Sequence, residues 1–261
     1  MRTYLVTGVA DGIGRATAER LAKEGHRVVG ADRRDADIVA DLGTAAGRRH
    51  LVAEAGRVRG GIDAVIAVAG TAEPDTSPVS VNYFGMLATL AGLRPLLAAA
   101  PAPRAVAVTS IAAIAPADEA LVSACLAGDE PAALDRAQTL VDEGRAVFTA
   151  GSQVYTASKV ALARWVRRTA AGPEWAGAGI PLNAVGPGVV LTAMTRDILA
   201  TPSERAILEQ VSPSPLNGVA EPAVPAGLLA WLASPENTHV TGQVIYCDGG
   251  ADAILRGDQV W

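Results

Sequence analysis

Short runs of consecutive apolar residues alternate along the chain with longer stretches in which apolar positions recur every three or four residues. The runs predict strands at Tyr4–Thr7, Arg27–Ala31, Ala36–Ala40, Ala64–Ala67, Ala105–Thr109, Pro181–Val185 and Val244–Tyr246. The helical period predicts helices over Gly12–Glu24, Ala45–Arg57, Val81–Ala99, Tyr155–Ala171 and Pro222–Leu232. In the first of these, Ile13, Ala16, Thr17, Leu21 and Ala22 would form the buried stripe. Strands that are apolar throughout and alternate with helices predict an α/β fold: a doubly wound parallel sheet of about seven strands with helices on both faces. No internal repeat is present, and residues 1–261 are expected to form a single domain. In such a sheet the ligand site lies at the carboxyl ends of the strands, near the point where strand order reverses. Thr7, Asp32, Ala69, Ser110 and Gly186 all fall just past predicted strand ends.

Two segments break the alternation. Residues 114–152 read as a helical insertion, with helices at Leu121–Leu126 and Ala132–Glu143 on either side of Gly128-Asp129-Glu130-Pro131. Residues 192–216 are a mixed stretch carrying Pro202, Pro213 and Pro215.

Composition narrows the partners. Half the residues are apolar but few are aromatic, so the core is built mainly from Ala, Val, Leu and Ile. A net charge of -5 and a pI near 5.3 argue against nucleic acid or an anionic membrane as partner. The richest basic cluster, Arg164, Arg167 and Arg168, reads as the solvated face of one helix. Cys125 and Cys247 are too few for a disulfide framework, which suits a reducing compartment. The first apolar run is already a strand of the fold, so no signal peptide is expected. The longest uncharged stretch, Trp175 to Thr195, is interrupted by Pro181 and Pro187 and cannot be a membrane helix. A cytoplasmic location follows as the expectation. His26, His50 and His239 are scattered without Cys, Asp or Glu at ligand spacing, so no metal site is expected.

The candidate chemistry begins at Thr7-Gly8-Val9-Ala10-Asp11-Gly12-Ile13-Gly14, a glycine cluster between the first strand and the first helix. A glycine-rich turn is often only a turn, but here its backbone could approach a pyrophosphate at a helix N-terminus. Asp32 ends the second strand, about 20 residues beyond the glycines, where a carboxylate can accept hydrogen bonds from adenosine ribose hydroxyls. Tyr155 and Lys159 stand four apart, on one face of a predicted helix. A phenol beside an ammonium can become acidic enough to transfer a proton near neutral pH.

Together these residues resemble the short-chain dehydrogenase/reductase family over nearly the whole chain. The family's Thr-Gly-x-x-x-Gly-Ile-Gly stands at Thr7 to Gly14, its Asp-Leu at Asp41-Leu42, and its Val-Asn-x-x-Gly at Val81 to Gly85. Its strand-end serine is Ser110, its Tyr-x-x-x-Lys is Tyr155 to Lys159, its Asn-x-x-x-Pro-Gly is Asn183 to Gly188, and its late Asp-Gly-Gly is Asp248 to Gly250. Within the family the chain looks most like the bacterial 3α-hydroxysteroid dehydrogenase/carbonyl reductase group, through Ala31 to Asp37, Ala40 to Leu42 and Val79 to Gly85. Two features depart from the pattern. Ala67-Val68-Ala69-Gly70 replaces the usual Asn-Asn-Ala-Gly, and 44 residues separate Ser110 from Tyr155.

The resemblance implies a Rossmann-type fold, a hydride-transferring activity and a set of roles. Tyr155 would be the general acid/base. Lys159 would lower its pKa and hold the nicotinamide ribose, Ser110 would steady the substrate oxygen, and Asn82 would join a proton relay. The plainer alternative for Asn82 is a helix kink or a buried amide. Gly8, Asp11, Gly12, Ile13 and Gly14 would form the pyrophosphate turn, with Asp32 and Arg33 at the adenosine ribose. Asp41 and Leu42 would flank the adenine, Ala69 and Gly70 would approach the adenosine half, and Pro187, Gly188, Val190 and Thr192 would frame the carboxamide. Residues 192–216 would be the substrate lid.

A carboxylate at Asp32 would repel a 2′-phosphate, and Asp11 adds to that, so NAD is the expected cofactor. Arg33 argues the other way. The expected substrate is a hydrophobic secondary alcohol or its ketone, a steroid or another cyclic or aromatic alcohol. The alternatives are an aryl, terpene or specialised-metabolite alcohol and, from another class, a non-catalytic NAD-sensing protein. A homodimer or homotetramer is expected. The insertion is either a surface elaboration or a device that changes how subunits associate.

Overall fold

In the computed structural model, which describes residues 1–147 and 152–259, the predicted strands form one parallel sheet. The strands are β1 (Thr3–Thr7), β2 (Arg27–Asp32), β3 (Ile38–Val39), β4 (Ala64–Ala67), β5 (Arg104–Val108), β6 (Leu182–Pro187) and β7 (Val244–Cys247). Their order is β3-β2-β1-β4-β5-β6-β7, so the direction of winding reverses between β1 and β4. Every pair is parallel, with Thr7 beside Ala31, Ala67 beside Ala107 and Val108 beside Val185. These registers bring the carboxyl ends of the central strands level with one another.

Strands β1, β4, β5 and β6 are buried along their whole length, as a sheet covered on both faces requires. Helices α1 (Gly12–Lys23) and α9 (Ala223–Leu232) pack on each other over one face. Helices α2 (Ala45–Ala55), α3 (Met86–Leu97) and α6 (Gln153–Thr169) cover the other.

Two predicted elements differ. Only Ile38 and Val39 of the predicted Ala36–Ala40 strand pair with β2. Asp37 turns its carboxylate onto the Gly30 N–H at 2.8 Å, taking the donor that a strand neighbour would have used, and Asp35 has a φ of +49°. The helix predicted from Val81 begins earlier, at Ser77, passes through a π-helical segment at Val79–Gly85 and continues as α-helix from Met86. The wider turn carries Asn82 to the inside of the fold, where it is fully buried.

Between a short 3₁₀ turn (Ile111–Ile114) and α6 lie α4 (Glu119–Ala127) and α5 (Glu130–Asp142). Residues 148–151 of the expected insertion lie outside the described residues. Helices α4 and α5 do not sit loosely on the surface. Leu121, Val122, Cys125, Ala133, Ala137 and Leu140 are wholly buried against α6 and the Val79–Gly85 segment. Asp118 and Asp129 cap the two helices, accepting from the Leu121 and Ala132 N–H groups. After β6 come α7 (Arg196–Ala200) and α8 (Pro202–Val211), and α10 (Ala251–Arg256) follows β7. No helix among the described residues is long and apolar enough to cross a membrane.

Candidate active site

Thr7 closes β1, and its buried hydroxyl accepts from the backbone N–H groups of Val68 and Ala69 at 2.9 and 3.1 Å. The end of β4 is thereby drawn against the glycine turn. A Cβ on Gly8, which has a φ of +76°, would lie 2.9 Å from the Ala69 nitrogen. One on Gly14 would lie 2.1 Å from the Gly8 carbonyl oxygen. The turn is therefore packed at backbone contact, and neither position has room for a side chain.

Above the strand ends runs a cleft of about 1590 Å³. The first turn of α1 (Gly12, Ile13, Gly14) lines it together with Gly8 and Asp11. So do Asp32, Arg33, Asp41, Leu42, Ala69, Gly70, Ser110, Tyr155, Lys159, Pro187, Gly188, Val190 and Thr192. Among the predicted site residues, Asn82 alone does not reach the cleft wall. Its side chain lies behind Gly70, with Oδ1 accepting from the Thr71 N–H at 2.8 Å. Its Nδ2 donates to the Thr71 carbonyl at 2.9 Å and to Ser158 Oγ at 3.2 Å. These bonds satisfy both ends of the buried amide. They also connect it to the tyrosine helix, because Ser158 Oγ donates to the Tyr155 carbonyl at 2.6 Å.

Helix α6 begins at the Ser152 cap, whose hydroxyl accepts from the Tyr155 N–H at 3.1 Å. One turn separates Tyr155 from Lys159, and both are buried in the cleft wall. Tyr155 is hydrogen-bonded to Ser110, whose hydroxyl also accepts from the Ala112 N–H at 3.2 Å. Lys159 Nζ lies 5.6 Å from the centre of the tyrosine ring and donates to the Val108 carbonyl at 3.2 Å. Thr109 Oγ1 anchors the same helix by donating to the Lys159 carbonyl at 2.9 Å.

The electrostatics differ from the expectation that Lys159 depresses the phenol. Burial raises the Tyr155 pKa above its ordinary value, and the opposing contribution comes from the Ser110 hydrogen bond. Burial also pushes the Lys159 ammonium down, to about 7. Because the lysine loses its charge above about pH 7, it has little positive charge left to offer over the range in which the raised phenol titrates.

The acidic residues of the cleft are partly engaged. Asp32 accepts from the N–H groups of Ala10 at 3.1 Å and Arg33 at 2.7 Å, which fixes it beside the glycine turn. Asp41 accepts from the Gly43 N–H at 2.9 Å and shapes the turn into α2. Asp11 accepts from the Ala193 N–H at 3.1 Å.

Several cleft residues escaped sequence reasoning. Leu255 and Arg256 reach the wall from α10, a helix too short to show a period. Asp248 caps that helix, accepting from the Gly250 and Asp252 N–H groups at 2.9 and 2.7 Å. Gly188 packs on its backbone, where a Cβ would lie 2.9 Å from the Asp248 Cα. The late Asp-Gly-Gly thus supports Pro187-Gly188 from behind. Ile114, Met194, Ile198, Leu208 and Val211 add an apolar lining.

A dinucleotide fits this donor set: a side-chain-free turn at a helix N-terminus, a carboxylate beside it at the end of β2, and an ammonium near the glycine at position 70. No group of three or more His, Cys, Asp or Glu among the described residues could hold a metal ion.

Two family models match the chain, one described as short chain dehydrogenase over residues 2–122 and one as enoyl-(acyl carrier protein) reductase over residues 138–252. The 3-alpha-hydroxysteroid dehydrogenase/carbonyl reductase of Comamonas testosteroni is 35% identical, covering 99% of this chain and 100% of that protein. The short-chain reductase protein NovJ of Streptomyces niveus is 29% identical over 94% of this chain and 92% of its own. The crystal structure of the 3-alpha-hydroxysteroid dehydrogenase from Pseudomonas sp. B-0831, complexed with NADH, superposes with a TM-score of 0.86 at 38% identity. That match covers 98% of this chain and 99% of the other.

Proposed function

The chain belongs to the short-chain dehydrogenase/reductase family of oxidoreductases, and we propose that it interconverts a hydrophobic secondary alcohol and its ketone with NAD as cofactor. The substrate we favour is a 3α-hydroxysteroid or a cyclic alcohol of similar bulk. One observation carries the reading: the hydrogen-bonded Ser110–Tyr155 pair and Lys159 share a cleft with the glycine turn. The apolar lining from Ile114, Met194, Ile198, Leu208 and Val211 supports a hydrophobic substrate, as do the names of the relatives. The NADH bound by the Pseudomonas enzyme supports the cofactor.

When bound, NAD supplies the nicotinamide carbon that accepts or returns hydride. Tyr155 takes or gives the proton at the substrate oxygen, and Ser110 donates to that oxygen as alkoxide charge develops. Lys159 holds the ribose hydroxyls, and Asn82, joined to α6 through Ser158, belongs to the proton relay. Gly8, Gly12, Ile13 and Gly14 admit the pyrophosphate to the N-terminus of α1. Asp32 takes the adenosine ribose hydroxyls and disfavours a 2′-phosphate, while Asp41, Leu42, Ala69 and Gly70 enclose the adenine half. Pro187, Gly188, Val190 and Thr192 frame the carboxamide, and residues 192–216 form the lid. A homodimer or homotetramer in the cytoplasm completes the reading.

The test is NAD reduction across steroid, terpene, aryl and simple cyclic alcohols, with NADP run alongside and with Tyr155→Phe as control. Turnover of 3α-hydroxysteroids with NAD, abolished in Tyr155→Phe while NADH still binds, is the expected result. Tight NADH binding with no turnover across the panel would overturn the substrate assignment.

A further inference from the structure

Arg48 lies outside the cleft, yet its guanidinium joins two stretches of cleft wall to a third element. Its Nε donates to the Leu42 carbonyl at 2.7 Å, and its Nη2 donates to the Ser80 carbonyl at 2.8 Å. Nη1 and Nη2 each reach one Glu130 carboxylate oxygen at 2.7 Å, a two-pronged pair that only a guanidinium can make. Leu42 and Ser80 both line the cleft, whereas Glu130 opens α5, and neither α4 nor α5 contributes a residue to it. The Arg48 side chain is 9% exposed, and its charge lies 5.8 Å from the centre of the Phe84 ring. Leu42 in turn packs on Gly85, where a Cβ would be 3.0 Å from both the Leu42 Cβ and its carbonyl oxygen.

We infer that Arg48 and Glu130 are positioning residues for the adenine wall of the cleft, so that α5 governs NAD affinity without touching the ligand. The inference rests on the proposed role of Asp41 and Leu42 beside the adenine. Its physical basis is the demand of a buried cation. Inside the fold the guanidinium needs both a counter-charge and acceptors for its N–H groups. Glu130 provides the counter-charge, which leaves the remaining donors free to hold the Leu42 and Ser80 carbonyls at a fixed separation. Without that carboxylate the guanidinium is drawn toward water, and both carbonyls lose their donor at once. A lysine at position 48 could keep the charge pair but could not reach three acceptors in one plane.

The experiment compares the full-length wild type with Glu130→Gln and Arg48→Lys by NADH fluorescence titration, steady-state kinetics, thermal unfolding and amide hydrogen exchange. The expected result is a rise of about tenfold in the NADH Kd and in KM for NAD in both variants. Exchange should quicken at residues 41–44 and 79–82, while kcat at saturating NAD and KM for the alcohol stay within about twofold. A lowered Tm with unchanged Kd and unchanged exchange at those residues would make the pair merely structural and overturn the inference. Absence of NADH binding to the wild type would overturn the proposed function and this inference with it. Wild-type binding that both variants match would overturn the inference alone.

Discussion

The Asp11 carboxylate accepts a hydrogen bond from the Ala193 N–H at 3.1 Å, across 182 positions of sequence. Asp11 occupies the N-cap of α1 but makes no capping bond to that helix, so its acceptor serves the segment after β6 instead. Beside it, a Cβ on Gly12 would lie 2.9 Å from the Thr192 methyl carbon. The glycine turn and the start of residues 192–216 are therefore fixed to each other.

Asp11→Ala should loosen that segment first. Arg196 and Arg205 are exposed within it and offer trypsin two cutting sites. Loss of one hydrogen bond of about 1 kcal/mol corresponds to cleavage about fivefold faster at both. Equal cleavage of wild type and variant would show that the bond does not hold the segment.

Alcohol oxidation should rise with pH through the neutral and alkaline range. Burial raises the Tyr155 pKa, so the phenolate that acts as base is scarce at pH 7 and grows as pH increases. Ser110 opposes the rise through its hydrogen bond. Ser110→Ala should therefore move the ascending limb of the kcat/KM profile to higher pH and lower kcat about a hundredfold. A limb that stays in place would separate Ser110 from the tyrosine.

Lys159 should make stability depend on pH. Burial holds its folded pKa at about 7, against 10.5 for the free side chain. Between those values the unfolded chain binds a proton that the folded chain lacks, so stability rises with pH across that window. Below about 7 both states are protonated, and the full cost of burying the charge is present. Denaturant unfolding from pH 7 to pH 10 should show this slope in the wild type and lose it in Lys159→Met.

Gly14→Ala should be among the most damaging small substitutions. Its Cβ would fall 2.1 Å from the Gly8 carbonyl oxygen, and the obstacle is backbone, which cannot rotate aside. A cost of roughly 1–3 kcal/mol and loss of NADH binding are expected. Gly56→Ala is the control, because its nearest neighbour would be 3.4 Å away, and it should stay within about 0.5 kcal/mol of wild type. Calorimetry and NADH titration on the two variants check both statements.

The strands and the tyrosine helix were legible because burial and period are local properties. The apolar run Tyr4 to Thr7 can be covered on both faces only as an inner strand, and a spacing of four puts Tyr155 and Lys159 on one helical face wherever that helix packs. The glycines at 8, 12 and 14 and the acid at 32 were likewise readable, since a tight turn constrains neighbours in sequence. Tertiary structure decided everything that needs a partner from far along the chain. Sequence spacing does not reveal that Arg48 meets Glu130, 82 positions away, or that Asp11 turns from its own helix to Ala193. It does not reveal that Asn82 faces inward, nor that Leu255 and Arg256 close the cleft from a helix of six residues. The direction of the Lys159 and Tyr155 shifts belongs here too. Residue type says which groups can carry charge, but only packing determines how much water each of them keeps.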